Sequence, residues 1–240
     1  HVLVNPVHHV PPAQLAMQAE VSNPLTIPTP SNDFDVCTGN LHGPIVLERF
    51  KIYLSTLPTA HKVLLLTEFK LGEGATIERY KQAAHQYHYH LLASPGSPTG
   101  GVAIMVHHTV ARDPPKLEVV VPARLAYVSL NVHPDPDAPP LNLVVFYGSS
   151  IGRERSVLTR PLEKLLKEPC LIGGDFNATT MDSDSTALTS NHWAWLQGQE
   201  KSGSMVDAIR LLADPPPYTR VRAYRGTKSY IDRIYLTDLA

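Results

Sequence analysis

Five continuous apolar runs of strand length restrict what this chain can fold into: Val63 to Thr67, Gly101 to Val106, Ala126 to Val132, Leu141 to Tyr147 and Cys170 to Ile172. Runs without polar alternation suit strands that are covered on both faces. Phe34 to Asn40 reads as a short first strand, and Arg220 to Tyr224 and Tyr230 to Leu236 as late strands joined across Gly226. Pro44 to Leu57 carries Val46, Leu47, Phe50 and Leu54 at helical spacing with a proline near its start. Arg153 to Leu166 and Asn191 to Gln197 are further helix candidates. Strands outnumber helices, so the expected architecture is α/β, with two packed sheets and helices outside them.

A chain of 240 residues with 43% hydrophobic content can bury one large core. Residues 1–33 are rich in proline and polar residues and read as a linker or tail, with the globular domain spanning 34–240. Because the first residue is His1, the chain is expected to be cut from a longer one. With 21 basic against 22 acidic residues, whole-chain charge offers no strong attraction to nucleic acid, so any DNA binding must use a local patch. Cys37 and Cys170 each sit in an apolar run, where free cysteine packs as a small hydrophobe, and a reducing, intracellular setting is expected. No apolar stretch approaches the roughly 20 residues needed to cross a bilayer, and the N-terminus lacks signal-peptide regions. The expectation is a soluble protein without a membrane partner.

The most specific chemical signal is Gly173-Gly174-Asp175-Phe176-Asn177, after a hydrophobic strand and before a polar loop with Asp182 and Asp184. The glycines allow a sharp turn at a strand end, where Asp175 and Asn177 can converge to orient a water and bond a phosphate oxygen. A Gly-Asp turn with an Asx hydrogen bond is the plain alternative. Glu68 closes the run Leu64-Leu65-Leu66-Thr67, where a carboxylate suits a hard cation such as Mg2+ or simply a solvated strand end. Asn40 ends the first strand before Gly43, and a turn or cap role would explain it equally. Tyr147, Asp207, Ser229 and Asp232 lie at the ends of apolar runs or within strands. A tyrosine hydroxyl can donate to phosphate, and an aspartate inside an apolar strand is costly unless it is paired or binds a metal. For Asp232 the alternative is a salt bridge to Arg233 or another basic neighbour. The twelve histidines read as surface or loop residues.

The order Asn40, Glu68, Tyr147, Asp175, Asn177, Asp207, Asp232 resembles the ordered motif set of the endonuclease/exonuclease/phosphatase superfamily, from Phe34 to about Leu236. The resemblance implies a DNase I-like four-layer α/β sandwich of two packed, mainly antiparallel sheets flanked by helices, with the active site where strand ends of both sheets meet. It implies that Asn40 and Glu68 hold a divalent metal, Mg2+ or alternatively Mn2+, with Glu68 the main ligand. Asp175 would position the attacking water, Asn177 and Tyr147 would stabilise the phosphate, and Asp232 would orient a histidine. Asp207 and Ser229 would also contact phosphate or DNA. Gly-Asp-Phe-Asn, Gly101-Val102-Ala103-Ile104 and Ser229-Tyr230-Ile231-Asp232-Arg233-Ile234-Tyr235 look like the non-LTR (LINE) retrotransposon branch; repair-type abasic endonucleases and inositol phosphatases more often carry leucine at Phe176.

Family members close with a serine-aspartate-histidine segment on a last strand beyond the position of Asp232, whereas this sequence ends at Ala240. The expectation is a domain that binds metal and DNA yet cleaves poorly, since a positioned proton-transfer group is worth roughly 100- to 10,000-fold. DNA contact would use Arg220, Arg222, Arg225, Lys228 and Arg233, interleaved with Tyr224 and Tyr230; the alternative is a solvated hairpin whose charges blunt an edge. The leading expectation is a Mg2+-dependent endonuclease in the nucleus. It would nick one strand of duplex DNA to leave a 3′ hydroxyl for a reverse transcriptase on the same parent polypeptide. The alternatives are another phosphodiesterase or phosphatase of this fold, acting on abasic sites, RNA or small phosphoesters, and an inactive remnant that only binds nucleic acid.

Overall fold

The structure, a computed structural model, describes residues 35–71, 74–96, 100–132, 135, 137–181, 184–185, 192–212, 220–222, 227–229 and 231–237. The 1–33 segment expected to be a linker lies outside these residues, as do Arg225 and the tyrosines at 224 and 230.

Two sheets face each other. The first contains β1 (Asp35–Asn40), β3 (His61–Thr67), β6 (Val102–His107) and β5 (Tyr89–Ser94) in the order β1-β3-β6-β5. The second contains β7 (Glu118–Val121), β8 (Leu125–Leu130), β9 (Leu141–Tyr147), β10 (Cys170–Asp175), β14 (Asp232–Thr237) and β11 (Met205–Asp207) in the order β11-β14-β10-β9-β8-β7. Only β1 with β3 and β9 with β10 run parallel within them; the other pairs are antiparallel. Short strands β2 (Pro44–Ile45) and β4 (Lys70–Leu71) pair separately, as do β12 (Arg220–Arg222) and β13 (Thr227–Ser229).

Strand alternation accounts for the layers. Val63 and Leu65 of β3 and Val102, Ile104 and Val106 of β6 point inward, against Ala126, Val128, Leu143, Val145, Leu171 and Ile234 of the other sheet. Leu64 and Leu66, one residue out of phase, point the other way and bury Phe50 and Leu54 of α1 (Leu47–Thr56) and Tyr80, Ala83 and Ala84 of α2 (Ile77–Gln86). On the far side, Val144, Phe146, Cys170 and Ile172 meet Leu158 and Leu162 of α3 (Gly152–Leu165) and Leu196 of α4 (Ala194–Ser202). The continuous apolar runs are therefore strands with a sheet on one face and helices on the other. The protein is a four-layer α/β sandwich.

Several elements differ from expectation. The region from Pro44 opens with the two-residue strand β2 before its helix begins at Leu47. The partner of β12 is Thr227–Ser229, whereas Asp232–Thr237 is a core strand between β10 and β11. α2, β5, β7 and β11 were not anticipated; α2 buries only a tyrosine and two alanines, too little side chain for a strong apolar period. The histidines are not all surface residues: His61 is 7% exposed and His90, His107 and His108 are half-buried, whereas His85 and His88 are exposed and lie against them where α2, β5 and β6 meet. Cys37 and Cys170 are free and buried, and burial pushes their thiols up to about 12 and about 11. Among the described residues no helix is long and apolar enough to cross a membrane.

Candidate active site

The inward rows of both sheets turn polar at one end. Val36, Thr38 and Asn40 share a face of β1; Leu143, Val145 and Tyr147 share one of β9; Leu171, Gly173 and Asp175 share one of β10. β14 runs the other way, so Asp232 stands at its start on the same side as Ile234. The ladder sets Tyr147, Asp175 and Asp232 side by side, with Asp175 opposite Tyr147 on one strand and opposite Asp232 on the other. Alternation alone would send Glu68 outward with Leu64 and Leu66. A left-handed backbone at Glu68 (φ 55°) breaks that alternation and accompanies its turn toward Asn40 and Tyr147.

The result is an open pocket of about 460 Å³, lined among others by Asn40, Glu68, Arg124, Tyr147, Asp175, Asn177 and Asp232. The Asn40 amide Nδ2 donates to Glu68 Oε1 at 3.2 Å and to Asp175 Oδ2 at 3.0 Å, tying one sheet to the other. Its Oδ1 accepts the His42 backbone N–H at 2.9 Å. Tyr147 donates to Glu68 Oε1 at 3.3 Å, and Lys70 Nζ lies 3.5 Å from Glu68 Oε2. Asp175, 3% exposed, accepts the Asn177 backbone N–H on Oδ1 at 2.8 Å, and Asn177 Nδ2 donates to the Gly148 carbonyl at 3.0 Å. Burial, then the charges of Glu68 and Asp175, push the Tyr147 phenol up to about 12, so it is a hydrogen-bond donor at neutral pH.

Glycine allows this close approach. A Cβ at Gly173 would stand 2.6 Å from Leu65 Cδ1 of the opposite sheet, and one at Gly174 would stand 2.1 Å from the Phe146 carbonyl oxygen. A side chain at 174 would push β10 from β9, and one at 173 would displace the Leu65 side chain from the inter-sheet core.

Sequence reasoning missed Arg124. Its guanidinium lies 4.7 Å from the Tyr147 ring centroid and lines the pocket, supplying a cation in a cleft that also holds Glu68, Glu154, Asp175 and Asp232. It precedes the run Leu125–Leu130 as an ordinary strand-start arginine, so only the fold brings it to Tyr147.

Asp207 is placed elsewhere. Its Oδ2 accepts from Arg233 Nη1 at 2.9 Å, and its Oδ1 accepts the backbone N–H groups of Ile209 and Arg210 at the start of α5 (Ala208–Leu212). Arg233, 0% exposed, also donates from Nη2 to Asp184 Oδ2 at 2.7 Å and lies 3.4 Å from Glu200 Oε1; Arg210 pairs with Asp184. Burial alone would raise the Asp184 carboxyl, but Arg233, the N–H groups of Thr180 and Met181, and Arg210 hold it below the usual range. Asp207 is thus part of a buried ion network and not of the pocket, and Arg233 is not available to DNA. Because successive β14 residues point to opposite faces, Arg233 turns away from Asp232. β12 and β13 carry Arg220, Arg222, Lys228 and Ser229 on a two-stranded hairpin.

The pocket fits a hard divalent cation by its donor chemistry. Glu68 offers one carboxylate, whereas Asn40 turns its nitrogen to Glu68 and Asp175 and its oxygen to the His42 N–H, so Asn40 would exchange that last bond to bind a cation; Mg2+ needs only one or two carboxylates because it keeps several waters. Among the described residues no cluster of three or more histidine, cysteine, aspartate or glutamate side chains is arranged around a common metal position. Any cation here would therefore be largely water-coordinated.

The chain matches the Endonuclease/Exonuclease/phosphatase family over residues 32–240, and it belongs to that family. Its fold is similar to that of an AP endonuclease from Archaeoglobus fulgidus, at 17% identity and a TM-score of 0.60 over 84% of this chain and 86% of that one. It is likewise similar to the 3′ phosphatase NExo from Neisseria bound to product DNA hairpin, at 17% identity and a TM-score of 0.61 over 84% and 86% of the two chains. The endonuclease domain of TRAS1, a telomere-specific non-LTR retrotransposon, aligns at 16% identity and a TM-score of 0.52 over 85% and 84%. Among curated proteins no sequence match to the chain is found.

Proposed function

We propose that the chain is a divalent-metal-dependent phosphodiesterase that nicks duplex DNA, in the manner of a non-LTR retrotransposon endonuclease. The observation that carries the reading is the convergence of Asn40, Glu68, Tyr147, Asp175, Asn177 and Asp232, from both sheets, on one open polar pocket. The DNA-directed names of the similar structures support a nucleic-acid substrate. Gly173-Gly174-Asp175-Phe176-Asn177 and Ser229-Tyr230-Ile231-Asp232-Arg233-Ile234 support the retrotransposon branch. A nuclear location and a reverse transcriptase on the same polypeptide accompany that reading.

Glu68 and Asn40 would hold Mg2+ or Mn2+, which when bound neutralises charge on the phosphate and on the departing oxygen. Asp175 holds the attacking water: Asn177 N–H and Asn40 Nδ2 fix its two oxygens, which aims the carboxylate into the pocket. Tyr147 exchanges its hydrogen bond to Glu68 for one to a phosphate oxygen, and Arg124 beside it adds positive charge there. Asn177 donates on the same side, and Asp232 sits across the ladder from Asp175 to accept a proton-bearing partner. The paired strands β12 and β13, with Arg220, Arg222 and Lys228, would track the DNA backbone.

The test is conversion of supercoiled plasmid to open circle with Mg2+ or with EDTA, comparing wild type with Glu68→Ala and Asp175→Asn. Metal-dependent nicking reduced at least about 100-fold in both variants supports the reading. Equal activity in Glu68→Ala overturns it. Parallel incubation with abasic duplex, RNA and a small aryl phosphate tells DNA nicking from the other phosphoester chemistries of this fold.

A further inference from the structure

Arg155, in the first turn of α3, is 1% exposed, and among the described residues no carboxylate pairs with it. Its partners are main-chain carbonyls. Nε donates to Ser149 O at 2.8 Å, Nη2 to Asn177 O at 2.9 Å and Nη1 to His192 O at 3.3 Å. A buried guanidinium without a counter-ion is an expensive way to fill space that leucine or methionine would fill more favourably. What it supplies, and an apolar side chain does not, is a rigid planar fork that joins three segments of backbone.

Two of those segments form the pocket wall. Ser149 follows Gly148, whose carbonyl accepts the Asn177 side-chain amide at 3.0 Å, and Asn177 donates its own N–H to Asp175. Asn177 holds a left-handed backbone (φ 50°), which asparagine adopts more readily than most residues, and its hydrogen bonds to Asp175 and the Gly148 carbonyl fix it in place. Arg155 lies behind this arrangement, gripping Ser149 and Asn177 by their carbonyls while their other atoms face the pocket. The third segment, at His192, is already bridged to Thr179, two residues beyond Asn177. One guanidinium therefore sets the spacing between the loop after β9 and the turn after β10.

We infer that Arg155 is a positioning residue for the candidate active site, fixing Asn177 and the Gly148 carbonyl relative to Asp175 from outside the pocket. The inference rests on the phosphodiesterase reading for its catalytic consequence, but its structural half does not need it. Lysine donates from a single nitrogen, whereas Arg155 reaches the three carbonyls from three different nitrogens of a planar fork.

Two measurements test it, on Arg155→Lys and Arg155→Met. The first is amide hydrogen exchange followed by NMR, with Ile104 of the inter-sheet core as the internal reference. Exchange at Asn177 should quicken at least about ten-fold in both variants while Ile104 stays as in wild type. The second is plasmid nicking with Mg2+, in which kcat should fall about 100-fold while KM for DNA moves less than about three-fold. Unchanged exchange at Asn177, equal loss of protection at Asn177 and Ile104, a rate loss that only follows the folded fraction by circular dichroism, or failure of both variants to fold overturns the positioning role. If wild type does not nick DNA, the phosphodiesterase reading fails by itself, and the exchange measurement still decides the place of Arg155.

Discussion

Asn40 at the end of β1 donates from Nδ2 to Asp175 Oδ2 at 3.0 Å, a hydrogen bond from the last position of one sheet to the last position of the other. The same nitrogen reaches Glu68 at 3.2 Å, so one amide stands between two carboxylates. Asn40→Leu removes the donor and leaves both acids facing an apolar side chain. The expected loss is about 1–3 kcal/mol of stability, the range for stranding buried polar groups, read as a lower urea midpoint at constant m. A loss below about 0.5 kcal/mol would show that the cross-sheet bond contributes little.

Glu68 adopts a left-handed backbone that glycine tolerates and glutamate does not favour. Glu68→Gly is expected to relieve about 1 kcal/mol of that strain, offsetting the lost hydrogen bonds. The folded protein should keep its melting temperature to within about 4 °C while Mg2+-induced stabilisation disappears. Retention of that stabilisation in thermal melts would place the cation elsewhere.

Burial first, then Glu68 and Asp175, push the Tyr147 phenol up to about 12, with Arg124 opposing. Free tyrosine ionises near about 10, so the folded-state pKa is the higher one. The associated stability is fully present below about pH 10 and is lost as the pH rises toward about 12. Tyr147→Phe should therefore flatten the alkaline fall in stability over that window by about 1–2 kcal/mol, discounted for the solvent that reaches the ring. Nicking by the variant should drop about 10- to 100-fold at neutral pH through loss of the donor.

His107 is pushed down to about 4 by burial first, then by Lys62, His88 and His108. Its Nδ1 accepts from the Thr109 backbone N–H at 3.2 Å and lies 2.8 Å from the Thr109 hydroxyl, contacts that suit an unprotonated nitrogen. Because the folded pKa is depressed, the stability it carries is present above about pH 6.5 and is lost as the pH falls toward about 4. His107→Gln should weaken that acid dependence by about 1–2 kcal/mol after allowance for screening, as followed by urea titrations at closely spaced pH values. An unchanged pH profile would assign the acid sensitivity to other groups.

Arg233 sits between Asp184, Asp207 and Glu200, all buried or nearly so. Arg233→Met leaves Asp184 and Asp207 to Arg210 and their backbone donors, three acids against one cation, and is expected to cost about 3–5 kcal/mol. Arg233→Met combined with Asp184→Asn and Asp207→Asn should recover part of that loss. If the triple variant is less stable than the single one, the network is held together by something other than charge pairing.

Much of this was legible in the sequence. The apolar runs marked the central strands because strands with a sheet beneath and helices above have no polar face to break the run. Asp175, Asn177, Glu68, Asn40, Tyr147 and Asp232 were visible because each stands where such a run stops. Asp207 stands at a similar place and yet serves the ion network; strand-end position does not say which side of a sheet a carboxylate joins. Arg233 was read as a surface cation because its three acids lie far from it in sequence, and only the fold gathers them. Arg124 and Arg155 were unreadable for the same reason: their partners are a ring and main-chain carbonyls.

Glycine at 173 and 174 lets the pocket floor close up, since a methyl group there would meet the Leu65 side chain of the facing sheet or the Phe146 carbonyl of the neighbouring strand. The floor of the pocket consequently has little room for gradual adjustment by side-chain exchange. The rim has more: Ile151 is 46% exposed and borders the pocket with Ser150 and His42. Substitutions at the rim can reshape the mouth of the pocket while its floor stays where it is. A fold built in this way lets one part of a cleft vary without disturbing the other.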